Sequence, residues 1–80
     1  VPGGMLSNLV SQLKEQGRED KLEEVKRLNE FRTSLLNTIE LNSKLRHLTN
    51  DTNYQSILHY TNEKNRNKLK DIDEQLKLCF

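Results

Sequence analysis

The first apolar stripe of the chain predicts a short helix. It consists of Leu6, Leu9, Val10 and Leu13. These positions fall at the three- and four-residue steps that place side chains on one face of an α-helix. Gly17 follows where a residue in the left-handed conformation commonly closes a helix. We therefore predict a short amphipathic helix over residues 5–17, with a helix that continues through Gly17 as the alternative.

A second and longer apolar series begins after Asp20. Asp20 and Glu23 have the spacing of a capping box, which predicts that a helix starts at this point. The series that follows is Leu22, Val25, Leu28, Phe31, Leu35, Leu36, Ile39, Leu41, Leu45 and Leu48. Most of its steps are three or four residues, so we predict one helix up to residue 48.

Residues 49–53 are the weakest helical stretch beyond Gly17. Their sequence is Thr-Asn-Asp-Thr-Asn, and these side chains compete with the helical backbone for hydrogen bonds. Asp51 or Thr52 could cap a new helix. The stretch therefore predicts either a bend or a strained length of helix.

The third segment has the most regular pattern. Its repeating positions are Leu58, Asn62, Asn65, Leu69, Ile72, Leu76 and Cys79. Alternating steps of four and three residues are typical of the core positions of a coiled coil. Asn62 and Asn65 occupy two of these positions, where polar residues usually set the register and the oligomeric state. The alternative for both is a frayed stretch close to the break.

These patterns predict an all-α protein in which two architectures compete. The favoured one is an oligomeric coiled coil built from a long helix with a short N-terminal helix. The alternative is a helical hairpin that dimerises into a four-helix bundle. The predicted divisions are a tag or linker remnant at 1–4, the short helix at 5–17, and a coiled-coil oligomerisation domain at 18–80 with a possible break at 49–53.

Composition favours association over an independent core. Hydrophobic residues make up 32% of the 80 residues and charged residues 31%. A chain this short buries little surface on folding. The net charge of +1 lacks the basic excess of a nucleic-acid-binding domain, and the cluster from Lys64 to Lys70 is followed at once by acidic residues. No apolar run is long enough for a membrane span, and without a secretory signal we expect an intracellular protein, cytoplasmic or nuclear.

The sequence offers little chemistry. The single cysteine, Cys79, rules out an intrachain disulfide, and Gly17 alone cannot form a phosphate-binding loop. His47 and His59 lie twelve residues apart among polar neighbours, so we interpret both as surface residues. We accordingly predict no enzymatic activity, no cofactor and no metal.

The function that these patterns favour is protein–protein interaction. We predict a homodimerising coiled coil, or a tetramer, that belongs to a larger scaffold protein. The predicted interface residues are Leu28, Leu35, Leu36, Ile39, Leu45, Leu58, Leu69, Ile72 and Leu76. The alternative is a helical subunit of a hetero-oligomeric assembly, such as a tethering, kinetochore or chromatin-modifying complex, with another helical protein as partner.

Overall fold

The computed structural model describes residues 3–79, with side chains described at 7, 8 and 10–79. Three α-helices follow one another: α1 (Gly3–Glu15), α2 (Leu22–Leu48) and α3 (Thr52–Leu78). A single turn of 3-10 helix at Glu19–Lys21 connects α1 to α2. The prediction of an all-α chain is therefore confirmed for this part of the sequence.

Gly17 closes α1 as predicted. Its φ is +69°, in the left-handed region. The Arg18 N–H donates to the Leu13 carbonyl at 2.8 Å, and the Gly17 N–H donates to the Lys14 carbonyl at 3.1 Å. This pair of bonds is the Schellman motif, in which a left-handed residue lets the last carbonyls of a helix find donors. A helix that continues through Gly17 is thereby ruled out.

The start of α2 differs from the predicted capping box. Asp20 lies inside the 3-10 turn, and α2 begins at Leu22 with Lys21 as its N-terminal flanking residue. No side chain caps this end. The polypeptide enters α2 directly from the 3-10 turn, so Asp20 never takes the extended conformation that a capping residue needs.

The chain reverses direction at the predicted break. Asp51 lies just before α3, and its Oδ1 accepts the N–H groups of Asn53 at 2.9 Å and Tyr54 at 3.2 Å. Thr49 is extended, with a ψ of 143°, which ends α2 and lets α3 return along it. Asp51 is thus the cap of α3, one of the two residues predicted for that role.

Helices α2 and α3 form an antiparallel hairpin, so the favoured prediction of one long helix is wrong. The Arg32 Nε donates to Asp73 Oδ1 at 2.9 Å across 41 residues of sequence. The longest dimension of the structure is 53 Å, whereas an unbroken helix over 18–80 would extend about 95 Å. The hairpin of the alternative prediction is present, and its assembly into a four-helix bundle stays a prediction.

The core lies along the hairpin and is thickest at its open end. On α3 the buried side chains are Leu58, Asn62, Asn65, Ile72 and Leu76, with Cys79 just beyond the helix. On α2 they are Val25, Leu28 and Leu35. Leu13 of α1 joins the same cluster at 0% exposure. The short helix therefore folds back onto the open end of the hairpin; the side chains of Leu6 and Leu9 lie outside the described residues.

Candidate functional site

The predicted interface residues pack inside a single chain. Leu28, Leu35, Leu58, Ile72 and Leu76 are buried in the hairpin. Ile39, Leu45 and Leu69 are half-buried, and Leu36 is 41% exposed. The coiled-coil spacing that suggested contacts between chains is satisfied here by α2 against α3. The part these residues play between chains stays a prediction.

Asn62 organises a polar network in the middle of the hairpin. Its Oδ1 accepts from Asn42 Nδ2 at 3.1 Å, while its own Nδ2 donates to the Ile39 carbonyl at 3.2 Å and to Ser43 Oγ at 3.3 Å. Asn62 is only 4% exposed. A buried amide is tolerated where its polar atoms are paired, and a shift of one helix along the other would separate these partners. Its predicted role in setting register stays a prediction.

Asn65 lies one heptad step further along α3 and is also buried. No buried side-chain nitrogen or oxygen among the described residues lacks a hydrogen-bond partner. The frayed stretch considered for Asn62 and Asn65 does not occur, because both lie inside continuous helix.

The open end of the hairpin brings the last residues of the chain against its first half. Cys79 is 2% exposed, and its Sγ donates to the Gln75 carbonyl at 3.3 Å. Burial raises the pKa of this thiol above its ordinary value of 9.0, and the Glu24 carboxylate raises it further, against smaller lowering effects of Lys21 and Arg18. A thiol held in the protonated state is a poor nucleophile. Cys79 is therefore a packing residue in this position.

The closed end of the hairpin carries a different group of side chains. Arg46, near the end of α2, places its Nη1 at 3.3 Å from Nδ1 of His59 on α3. Gln55 Nε2 donates to the Thr49 carbonyl at 2.8 Å, which ties the first turns of α3 to the connection. His47 and His59 are both exposed, as predicted.

The described residues contain no group of three or more His, Cys, Asp and Glu side chains placed to hold a metal ion. Within the same part of the chain, no helix combines the length and the apolar character that a membrane crossing requires.

Comparison with known proteins identifies the class of protein. The family described as the conserved carboxylase domain matches residues 1–40, which is half of the chain. The chain belongs to this family. The matched half contains α1, the 3-10 turn and α2 as far as Glu40, and residues 41–80 lie beyond the match.

Two curated relatives share a short stretch with the chain. The B subunit of pyruvate carboxylase from Methanocaldococcus jannaschii is 88% identical over 25 residues, which cover 31% of this chain and 4% of that protein. The methylmalonyl-CoA carboxyltransferase 5S subunit of Propionibacterium freudenreichii subsp. shermanii is 68% identical over 25 residues, which cover 31% of this chain and 5% of that protein. The chain thus aligns with about one twentieth of each relative. No solved structure matches it.

These matches overturn the functional prediction. The periodic leucines predict a scaffold segment without enzymatic activity, or a subunit of a tethering, kinetochore or chromatin-modifying assembly. The carboxylase and carboxyltransferase relatives point to an enzyme subunit instead. Periodicity failed here because it reports which side chains are buried and says nothing about the protein to which a helix belongs.

Sequence reasoning also missed the polar members of the α2 core. Arg32 and Asn42 face α3 through the contacts with Asp73 and Asn62. They continue the alternating steps of Val25, Leu28, Leu35 and Ile39, and that spacing is the signal that could have identified them.

Proposed function

We propose that the chain is a helical piece of a carboxylase or carboxyltransferase subunit. The observation that carries the proposal is the match of residues 1–40 to the conserved carboxylase domain, together with 88% identity over 25 residues to a pyruvate carboxylase subunit. By this likeness, the whole subunit would act in transferring a carboxyl group to or from a small organic acid or its thioester. The chain itself supplies a structural element of that subunit.

The packing of the matched half supports a structural contribution. Leu13 and Val25 are both 0% exposed and belong to one cluster, which fixes α1 against the start of α2. Ile72, Leu76 and Cys79 from the last part of α3 complete that cluster. In this proposal α3 covers the apolar side of the family segment and holds α1 in place.

A chimera tests the proposal. The segment of the Methanocaldococcus jannaschii pyruvate carboxylase that aligns with residues 1–40 would be replaced by residues 1–40 of this chain, and carboxylation of pyruvate by the complete enzyme would be measured. We expect activity close to that of the unaltered enzyme. A chimera that has the melting temperature of its parent but no activity would contradict the proposal.

A pair of substitutions in the chimera locates the contribution of α1. Leu13→Asp places a charge at a fully buried position, where an unpaired charge is strongly unfavourable. Gln12→Asp introduces the same residue at the exposed neighbouring position. We expect Leu13→Asp to abolish activity and Gln12→Asp to preserve it. Equal activities would show that the packing of α1 is not what the enzyme uses.

The finer description of the fold is also a proposal. We infer that α2 and α3 pack as a two-stranded antiparallel coiled coil, because the buried positions of α3 recur at alternating steps of three and four residues. Association with a second copy or with another helical protein is an expectation of the same kind. Exposed apolar side chains such as Leu41, Ile57 and Leu48 support it, and sedimentation equilibrium over a range of concentrations tests it. Nucleic-acid binding is not expected, and an intracellular location stays a prediction.

A further inference from the structure

A small open depression lies at the closed end of the hairpin, between the last turn of α2 and the first turns of α3. Its volume is about 170 Å³. The residues that line it are Arg46, Thr52, Gln55, Ser56, His59 and Tyr60. Pockets for drug-sized ligands typically measure about 300–1,000 Å³. The depression therefore suits a small group and excludes a ligand as large as a nucleotide.

The charge of Arg46 is not neutralised by a carboxylate. Arg32 pairs with Asp73 and Arg66 with Glu63, each at 2.9 Å. Within residues 3–79, no carboxylate lies within 4.0 Å of the Arg46 guanidinium. Its neighbour is instead Nδ1 of His59 at 3.3 Å. This contact is a hydrogen bond only when that imidazole is neutral, because a protonated ring has no acceptor nitrogen.

An anion in the depression would change this relation between the two side chains. With an oxyanion between them, the guanidinium and a protonated imidazole both donate, and neither has to serve as the acceptor for the other. Arginine presents paired N–H groups that match the oxygens of phosphate. The arrangement is thus better satisfied with a phosphate-type group than without one.

Hydroxyl groups complete the lining. Thr52, Ser56 and Tyr60 each present a hydroxyl, and none of the three makes a side-chain hydrogen bond to another described residue. The amide of Gln55 is already engaged with the carbonyls of Thr49 at 2.8 Å and Arg46 at 3.4 Å. Gln55 therefore fixes the end of α2 that carries Arg46 and leaves the hydroxyls as donors to a ligand.

We propose that this depression binds a phosphate-type oxyanion through Arg46 and protonated His59, with hydroxyl donors from Thr52 and Ser56. The group could be inorganic phosphate or the phosphate of a monoester, since the depression is open on its outer side. The site lies in residues 41–80, outside the carboxylase family match, so the inference stands independently of the function proposed above.

The test is a titration of the full 80-residue chain followed by nitrogen-edited NMR. The probes are inorganic phosphate and phenyl phosphate, each compared with chloride at the same ionic strength. We expect saturable shifts at Arg46, Thr52, Ser56 and His59 with both phosphate probes and none with chloride. Tighter binding of phenyl phosphate would identify a monoester as the preferred source, and equal or weaker binding would identify free phosphate.

Matched substitutions decide whether the site is specific. Arg46→Gln should weaken phosphate binding at least about tenfold, the effect of losing a hydrogen bond to a charged group. Arg66→Gln removes the same charge from α3 at a residue that pairs with Glu63, and it should leave binding unchanged. Equal effects of the two variants would show general charge screening and overturn the proposal, as would shifts that grow without saturation.

A second pair keeps the test decisive if Arg46→Gln loses helicity. His59→Gln removes the imidazole from the depression, whereas His47→Gln removes the neighbouring exposed imidazole. We expect weaker phosphate binding only for His59→Gln. Unchanged binding in that variant, with helicity preserved, would contradict the assignment.

Discussion

Replacing Leu13 by alanine tests whether α1 is an integral part of the fold. Leu13 is 0% exposed and lies in one cluster with Val25, Leu28, Ile72 and Leu76. Leucine-to-alanine changes in a core cost about 2–5 kcal/mol, because apolar contacts are lost and a cavity remains. A chain of 80 residues has a free energy of unfolding of about 4–12 kcal/mol. The substitution therefore removes a large share of the stability.

The assay is urea unfolding followed by circular dichroism at the helical minimum. With a denaturant dependence of about 1–3 kcal/mol per molar urea, we expect the midpoint of Leu13→Ala to fall by roughly 1–3 M. Leu48→Ala is the matched control, since Leu48 is a helical leucine that is 80% exposed. Its stability should change by no more than about 0.5 kcal/mol. Equal midpoints for the two variants would refute the docking of α1.

Four further changes follow from the geometry. Asp51→Ala removes the cap of α3 and should lower the free energy of unfolding by about 1 kcal/mol, measured by thermal unfolding; an unchanged melting temperature would contradict this. Asn62→Ala leaves its buried partners without bonds and should lower it by about 1–3 kcal/mol, whereas Asn67→Ala on the exposed face should not. Gly17→Ala should lower it by about 1–2 kcal/mol, because the φ of +69° is strained for alanine although nothing lies within 4 Å of its Cβ; no loss in urea would rule out the left-handed turn. The raised pKa of Cys79 means that the unfolded chain releases this proton first as the pH rises, so stability should decrease above pH 9.0, and Cys79→Ala should show a smaller decrease.

The helices themselves could be predicted from the sequence because their signals are local. Gly17 ends α1 and Asp51 begins α3, and both roles follow from the side chain and the backbone conformation at one position. The buried series from Leu58 to Leu76 on α3 is equally direct, since a heptad spacing marks one face of a helix wherever that face packs.

The direction of the chain after residue 48 could not be predicted in this way. A heptad face is satisfied as well by the preceding helix as by a second chain, and the choice depends on the conformation of a few connecting residues. Thr49 adopts an extended conformation, which turns the chain back. Polar core residues such as Arg32 and Asn42 also hid the true face of α2, because apolar patterning counts them as surface.

The candidate sites depended on information that periodicity does not carry. Membership of the carboxylase family rests on residue-by-residue likeness within 1–40, a region whose first four residues have the composition of a linker. The pairing of Arg46 with His59 depends on the antiparallel register, which brings together side chains thirteen residues apart. The surface position of His59 could be predicted, but its neighbour could not be known before the hairpin was.

The hairpin is the feature on which the assignment of core, register and anion site depends, and a distance between two spin labels tests it most directly. Glu30→Cys and Gln75→Cys, both at exposed positions, would be labelled in a chain with Cys79→Ala and diluted with unlabelled chain, so that only distances within one molecule contribute. We expect roughly 20–30 Å between the labels, from two helix axes about 8–10 Å apart and the lengths of the label arms. A distance of about 68 Å, the length of 45 residues of unbroken helix, would contradict the hairpin.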